Sequence, residues 1–261
     1  MNETYTDDRQ TDARDRADIS VLASAVISAL SDKNDEGCRT VRSSVVQMLV
    51  EATLATEEFD AATLLQQLRT NRVGPDQTVD IYIPEAARRL GQMWVDDVIS
   101  FAHVTIATAR LQGLLTILAP PWSFKAGTGD QDIQMLLILQ ADDSHTLGPH
   151  VAAAQLRRLG ASVRILFGPD SATLMQVLSE DIYDLVMFST SRADALAPIA
   201  KLVKRIRATS NIVPPLVLGG LVCQLTDGVK EKTGVDLVTT DARAAFKLCE
   251  SKRHKTRSVA Q

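Results

Sequence analysis

A chain of 261 residues, 45% apolar and 23% charged, has the composition of a folded globular protein with room for one large domain or two modest ones. Its formal charge of -4, from 28 Lys+Arg against 32 Asp+Glu, provides no overall field toward DNA or anionic lipid. Three cysteines, Cys38, Cys223 and Cys249, with no CxxC pair, argue against a disulfide framework or a structural zinc, and no apolar run approaches the ~18 to 20 residues of a membrane span.

Residues 1–18 mix many charges of both signs and read as a leader without a buried face. With no signal peptide, the expected location is the reducing cytoplasm, with no membrane partner. From Ile19 apolar residues recur at three and four, in ISVLASAVISAL, TVRSSVVQMLVEATLA and FDAATLLQQLRTN. A fourth helix is expected over about 78–93, with Pro84 at an entry or kink, and a fifth over about 98–118, ending at Pro120-Pro121. Residues 19–122 therefore read as a helical bundle, and 123–132, SFKAGTGDQD, as a linker.

The period then changes. MLLILQA, VRILFG, LVMFST, LVLGG and VDLVTT are short apolar runs alternating with helix-like stretches at 149–159, 170–179, 194–208, 221–232 and 241–250. Runs without polar alternation belong to a parallel sheet covered on both faces, and right-handed crossovers make it doubly wound. The expected fold is α/β: a helical bundle, then over 133–250 a flavodoxin-like, Rossmann-like five-stranded parallel sheet ordered 2-1-3-4-5, then a basic tail over 251–261.

In such a sheet ligands bind beyond the carboxyl ends of the strands, at the switch point. The first strand exits into Asp142-Asp143-Ser144-His145-Thr146-Leu147-Gly148, the third into Ser189-Thr190-Ser191, the fourth into Gly219-Gly220 and the fifth into Val238-Thr239-Thr240. A phosphoacceptor receiver needs an aspartate at the third exit and a lysine at the fifth, and neither is there. No Gly-rich phosphate loop enters the first helix, which removes a nucleotide fold. A metal-bound macrocycle fits better: Asp143, two residues before His145, is spaced to hold one imidazole nitrogen while the other faces a metal. Gly148, Gly219 and Gly220 leave space for a bulky group.

Plainer readings stand beside these. His145 is also placed to cap the helix near Pro149, Asp142 to serve as a helix N-terminal acid, and His150 as a helix residue. Gly219-Gly220 also suits an ordinary strand-to-helix turn, and Trp94 a core position.

These residues resemble the cobalamin-binding domains with a DxHxxG…SxL…GG signature. Residues 143–148 match the first element; after a gap of 40 residues Ser189-Thr190-Ser191 stands for the second, and 27 residues later comes Gly219-Gly220. Ser191 departs from the signature's leucine. The resemblance implies that His145 is the lower axial ligand of cobalt in place of the vitamin's own base, that Ser189 hydrogen-bonds that base, and that Gly148, Gly219 and Gly220 clear its path. It also brings Ser144, Thr146, Leu147, Thr190, Ser191 and Thr239 into the cofactor site.

The bundle resembles the cap of methionine synthase and of light-responsive cobalamin regulators, in which Trp, nine residues and Glu-His cover the upper corrin face. Here Trp94 is followed by Val104-Thr105. At about 100° per residue, Phe101, Thr105, Thr108 and Gln112 fall within about 40° of Trp94 if one helix runs through them, whereas His103 faces away unless the helix breaks. Trp94, Phe101 and Thr105 are thus expected toward the cofactor.

The whole layout is similar to the AerR/PpaA family of antirepressors. That implies a light- and redox-linked, non-catalytic regulator that holds cobalamin and binds a CrtJ/PpsR-type repressor of photosystem genes; with Thr105 in place of the cap histidine, the hydroxo or aquo form is expected to be preferred over the adenosyl form. The alternative is a corrinoid methyl carrier serving a methyltransferase; haem in place of the corrin is a third reading. No strand exit carries a Ser-His-Asp set or a carboxylate pair for acid-base work, so no catalytic residue is expected. The run Lys252, Arg253, His254, Lys255, Arg257 reads as a solvated tail, with a minor reading as a DNA phosphate contact.

Overall fold

The unbroken apolar runs of the C-terminal half become strands because both of their faces are buried. In the computed structural model, which describes residues 41–118, 133–143, 145–209 and 213–259 without the side chains of 254–259, they are β1 (Ile133–Leu139), β2 (Ala161–Phe167), β3 (Leu185–Ser189), β4 (Leu216–Gly219) and β5 (Leu237–Val238). The expected leader, the helix starting at Ile19, Cys38, Pro120-Pro121, the linker 123–132 and Ser144 lie outside the described residues. All strands are parallel, in the order β2-β1-β3-β4-β5, as the sequence reading expects. Leu136, Ile138, Val186, Phe188, Leu216 and Leu218 face one core, and Met135, Leu137, Leu185, Met187 and Val217 the other. Side chains alternate across the sheet, and with a helix layer on each face the central positions of β1, β3 and β4 are apolar on both sides.

Among the described residues, four helices of ten residues or more come before the sheet: α1 (Ser43–Leu54), α2 (Ala61–Thr70), α3 (Ile83–Val95) and α4 (Phe101–Leu118). Asp60 Oδ1 accepts the backbone N–H of Ala62 and Thr63 at the start of α2, filling two donors that a helix N-terminus leaves open. Between α2 and α3 lie a helical turn at Pro75–Gln77 and a π-turn at Thr78–Tyr82, where the Ile83 N–H reaches back five residues to the Thr78 carbonyl. Pro84 has no N–H to donate, which removes one bond of the regular ladder and permits the wider turn. The expected helix over 78–93 is therefore helical throughout, with its first five residues in the wider π-turn and Pro84 just after it.

Helix α3 ends at Val95, and Asp97 adopts φ +55 before α4 begins at Phe101. The alignment of Trp94 with Thr105, Thr108 and Gln112 on one continuous helix does not hold. By length and composition α4 is apolar enough to cross a membrane, a property that no uninterrupted apolar run in the sequence suggests. Ala107, Leu111 and Leu114 are nonetheless buried, and the Arg110 guanidinium donates to the carbonyls of Thr53 and Ala55, at the end of α1, while lying over the Phe59 ring. Those contacts are those of a bundle helix.

After the bundle come α5 (Leu147–Arg158), α6 (Ser171–Glu180), α7 (Leu196–Thr209), α8 (Val222–Leu225), α9 (Val229–Thr233) and α10 (Ala242–Val259). The helix expected over 221–232 is split into α8 and α9, with Gly228 at φ +65 between them. Helix α10 runs on through the segment read as a tail, and Arg253 pairs with Asp184 at 3.3 Å. The chain divides into two compact units, residues 1–114 and 115–261.

Candidate functional site

The register of the sheet sets Leu139 beside Ser189 and Ser189 beside Gly219, so β1, β3 and β4 end level with one another. The β1 and β3 exits meet at one buried carboxylate, and the β4 exit packs against Thr190 beside it. Asp143 Oδ2 accepts from the Ser191 N–H at 2.6 Å and the Thr190 hydroxyl at 3.0 Å; Oδ1 accepts from the Ser191 hydroxyl at 3.0 Å and the His145 N–H at 3.0 Å. A buried charge persists only when its lone pairs are filled in this way. Burial pushes the Asp143 carboxyl up, but hydrogen bonds from the His145 ring, from the N–H groups of Ser191 and His145 and from the Ser191 hydroxyl outweigh it and hold the carboxyl well below the usual carboxylate range.

His145 Nδ1 lies 3.0 Å from Ser191 Oγ and 3.3 Å from Asp143 Oδ1. The serine hydroxyl has one proton and gives it to Asp143, so toward the imidazole it accepts; the carboxylate can only accept. Both partners therefore require a proton on Nδ1. In the neutral ring Nε2 then carries a bare lone pair, on a side chain that is 56% exposed. The expected pairing of Asp143 with His145 is present, with Ser191, the position read as a departure from the signature, bridging the two. Three consecutive hydroxyls, Ser189-Thr190-Ser191, of which the last two reach Asp143, were the available signal for this.

The plainer reading of His145 as a helix cap is not what the structure shows. Helix α5 starts at Leu147 with Thr146 at the cap position, and no side chain caps it. Asp142 is not a helix N-terminal acid either: it sits in an exposed turn at φ +64, its carbonyl accepting from Arg192. His150 lies in α5 as expected, its Nδ1 bonded to the Thr146 carbonyl at 2.7 Å.

The glycines separate into two kinds. At Gly148, in the first turn of α5, an added Cβ meets nothing within 4 Å, which leaves open ground three residues beyond His145. At Gly220, with φ +96, a Cβ would lie 2.4 Å from the Thr190 carbonyl oxygen, and at Gly219 3.0 Å from that of Thr239. These two are glycines because the β3 and β5 exits press against them, a reason internal to the chain that differs from the expected clearance for a ligand. Thr239 has a local task too, its hydroxyl accepting the Asp241 N–H where α10 begins.

Within the N-terminal unit, the break after α3 brings the Trp94 and Phe101 rings to 6.0 Å at 60°. Phe101 is 68% exposed, and the exposed Thr105 turns its hydroxyl back to the Phe101 carbonyl. His103 Nδ1 lies 2.7 Å from Ser100 Oγ. Cys223 and Cys249 are free thiols, which burial pushes up to about 11 and about 12, so neither is a ready nucleophile.

No family model matches the chain. Its fold is that of the monomethylamine corrinoid protein of Methanosarcina barkeri, at TM-score 0.60 and 14% identity over 78% of this chain and 94% of that one. A cobalamin-binding protein of Desulfitobacterium hafniense gives a looser match, TM-score 0.42 and 16% identity over 79% of this chain and 97% of its own. By sequence the chain is 34% identical over 178 residues, 68% of its length and 93% of the relative's, to an uncharacterized 20.5 kDa protein in the bchF-crtJ intergenic region of Rhodobacter capsulatus. It belongs to the family of that protein.

Proposed function

We propose that the C-terminal unit binds cobalamin, with His145 Nε2 on cobalt. The observation that carries this is the fixed imidazole, with Nδ1 held by Ser191 and Asp143 on a half-exposed side chain at the carboxyl edge of the sheet. Among the described residues no three His, Cys, Asp or Glu side chains gather around a point, so a metal at His145 would have to bring most of its ligands with it. A metal in a macrocycle meets that condition. Ser189, at the end of β3, and the open ground at Gly148 lie at the same edge, where they would receive the nucleotide tail and the vitamin's displaced base, while the buried Thr190 supports Asp143 from below. When bound, the group supplies a cobalt centre whose upper ligand can be exchanged or lost to light. The part we assign to the described residues is to hold and orient it, as in a binding protein rather than an enzyme.

The role we infer is that of an AerR/PpaA-type antirepressor acting on a CrtJ/PpsR-type repressor. Its support is the family relative, whose gene region carries crtJ in its name. The fold shared with a corrinoid protein is equally compatible with a methyl carrier, but the Trp94-x9-Val104-Thr105 pattern favours the regulator.

The deciding experiment is the absorption spectrum of the protein with hydroxocobalamin, comparing wild type with His145→Ala. A spectral shift in wild type that is missing from the variant places the imidazole on cobalt. No uptake by wild type, or an identical shift in both, ends the reading, and uptake of haem instead identifies the other macrocycle. Because Thr105 stands where related sensors have histidine, hydroxocobalamin should bind more tightly than adenosylcobalamin. Equal dissociation constants measured in the dark contradict that preference.

A further inference from the structure

An exposed aromatic side chain stands at the end of β2, on the same edge of the sheet as the β1 exit that carries His145. Phe167 is the last residue of β2 and is 54% exposed, while Leu139, its partner in the register on β1, is 2% exposed. The end of β2 is pinned to the β1 exit: the Gly168 N–H donates to the Leu139 carbonyl at 2.9 Å, and Gly168, at φ +53, lies so close to Ala141 that a Cβ would approach its Cα to 3.3 Å. One face of the Phe167 ring is backed by the His150 imidazole, stacked at 5.6 Å and 28°. That imidazole is tied in turn to the carbonyl of Thr146, the residue after His145. The aromatic pair is thus fixed to the loop that carries the proposed metal donor.

We propose that Phe167, backed by His150, is a contact surface for the rim of the corrin and sets affinity for the ring rather than for its nucleotide tail. The proposal rests on the cobalamin reading. A flat ring held through its centre by His145 Nε2 extends sideways over the neighbouring strand ends. Parallel neighbours lie only about 4.8 Å apart, so the end of β2 falls beneath a macrocycle wider than that spacing. Ser189, on the proposed path of the tail, ends β3, which lies on the other side of β1 from β2. A stacked aromatic presents apolar area already held in place, so contact with it costs little ordering entropy.

The test is titration of the full chain with two corrinoids, hydroxocobalamin and cobinamide, the latter lacking the nucleotide tail. Phe167→Ala should lose about tenfold in affinity for both, as expected for one stacked aromatic contact, with the saturated spectrum and the thermal midpoint of the free protein unchanged. Phe167→Tyr, which keeps the flat face, should bind both as wild type does. The proposal is overturned if Phe167→Ala binds both corrinoids as tightly as wild type, if it loses only cobalamin, which would place the contact on the tail, or if Phe167→Tyr loses as much as Phe167→Ala. Should wild type take up neither corrinoid, the cobalamin reading falls and this one with it; should wild type bind and Phe167→Ala match it, this one alone falls.

Discussion

At the scale of single residues the site depends on one hydroxyl. Ser191 takes one oxygen of Asp143 and one nitrogen of His145, and no other described side chain does both. Replacing it by leucine, the residue of the wider signature, removes the acceptor that favours a proton on Nδ1 and leaves the more distant carboxylate to do so alone. Substitutions behind a metal-binding imidazole commonly cost 10- to 100-fold in affinity. Ser191→Leu should therefore weaken hydroxocobalamin binding by about tenfold or more by titration, and an unchanged constant would show that Asp143 alone suffices. Asp143 leads to a second prediction, in pH. Its carboxyl is held below its ordinary value in the folded chain, so its charged form contributes stability in full above the unfolded value of about 3.9. That contribution is lost as pH falls below about 4 toward the folded value. In denaturant unfolding, Asp143→Asn should be less stable than wild type at pH 6, and the gap should narrow only below about pH 4. A gap constant from pH 6 to pH 3 would mean that the charge is not what the network stabilises.

At the scale of elements, the two kinds of glycine separate folding from binding. Gly220→Ala meets the Thr190 backbone at 2.4 Å in a left-handed conformation, and such strain costs about 1 to 3 kcal/mol. It should lower the unfolding midpoint whether or not a corrinoid is present. Gly148→Leu enters open space, so its midpoint should match wild type while hydroxocobalamin uptake is lost; a Gly148→Leu protein that still binds would remove that turn from the site. This difference was not readable from sequence, where both glycines fitted a passage for a ligand, because it depends on what lies across from each. The strands and their order were readable, since burial on both faces writes itself as unbroken apolar runs such as Leu136-Leu137-Ile138. Interruptions were harder. The break after Val95 rests on Asp97 at positive φ and the split before α9 on Gly228, single backbone conformations that leave the apolar period on either side intact. The continuation of α10 past residue 250 was hidden for the opposite reason, as a run of basic residues carries no apolar stripe to mark a helix.

At the scale of the molecule, the residues assigned to the metal donor, its supports and the tail path all lie between 139 and 239, within the second of the two compact units. Free energy of binding therefore enters that unit's folding equilibrium. A ligand at about 100 times its dissociation constant stabilises the state that binds it by about 2.7 kcal/mol, which for a domain of this size raises the midpoint on the order of 5 to 10 °C. Hydroxocobalamin should produce a shift of that size in wild type and far less in His145→Ala, followed by circular dichroism during heating. A fragment limited to the helical bundle should show no shift at all. Equal shifts in wild type and His145→Ala would place the stabilising contacts elsewhere and separate binding from the imidazole. A shift in the isolated bundle would mean that the first unit has a corrinoid site of its own, with Trp94 and the exposed Phe101 as the residues to test first.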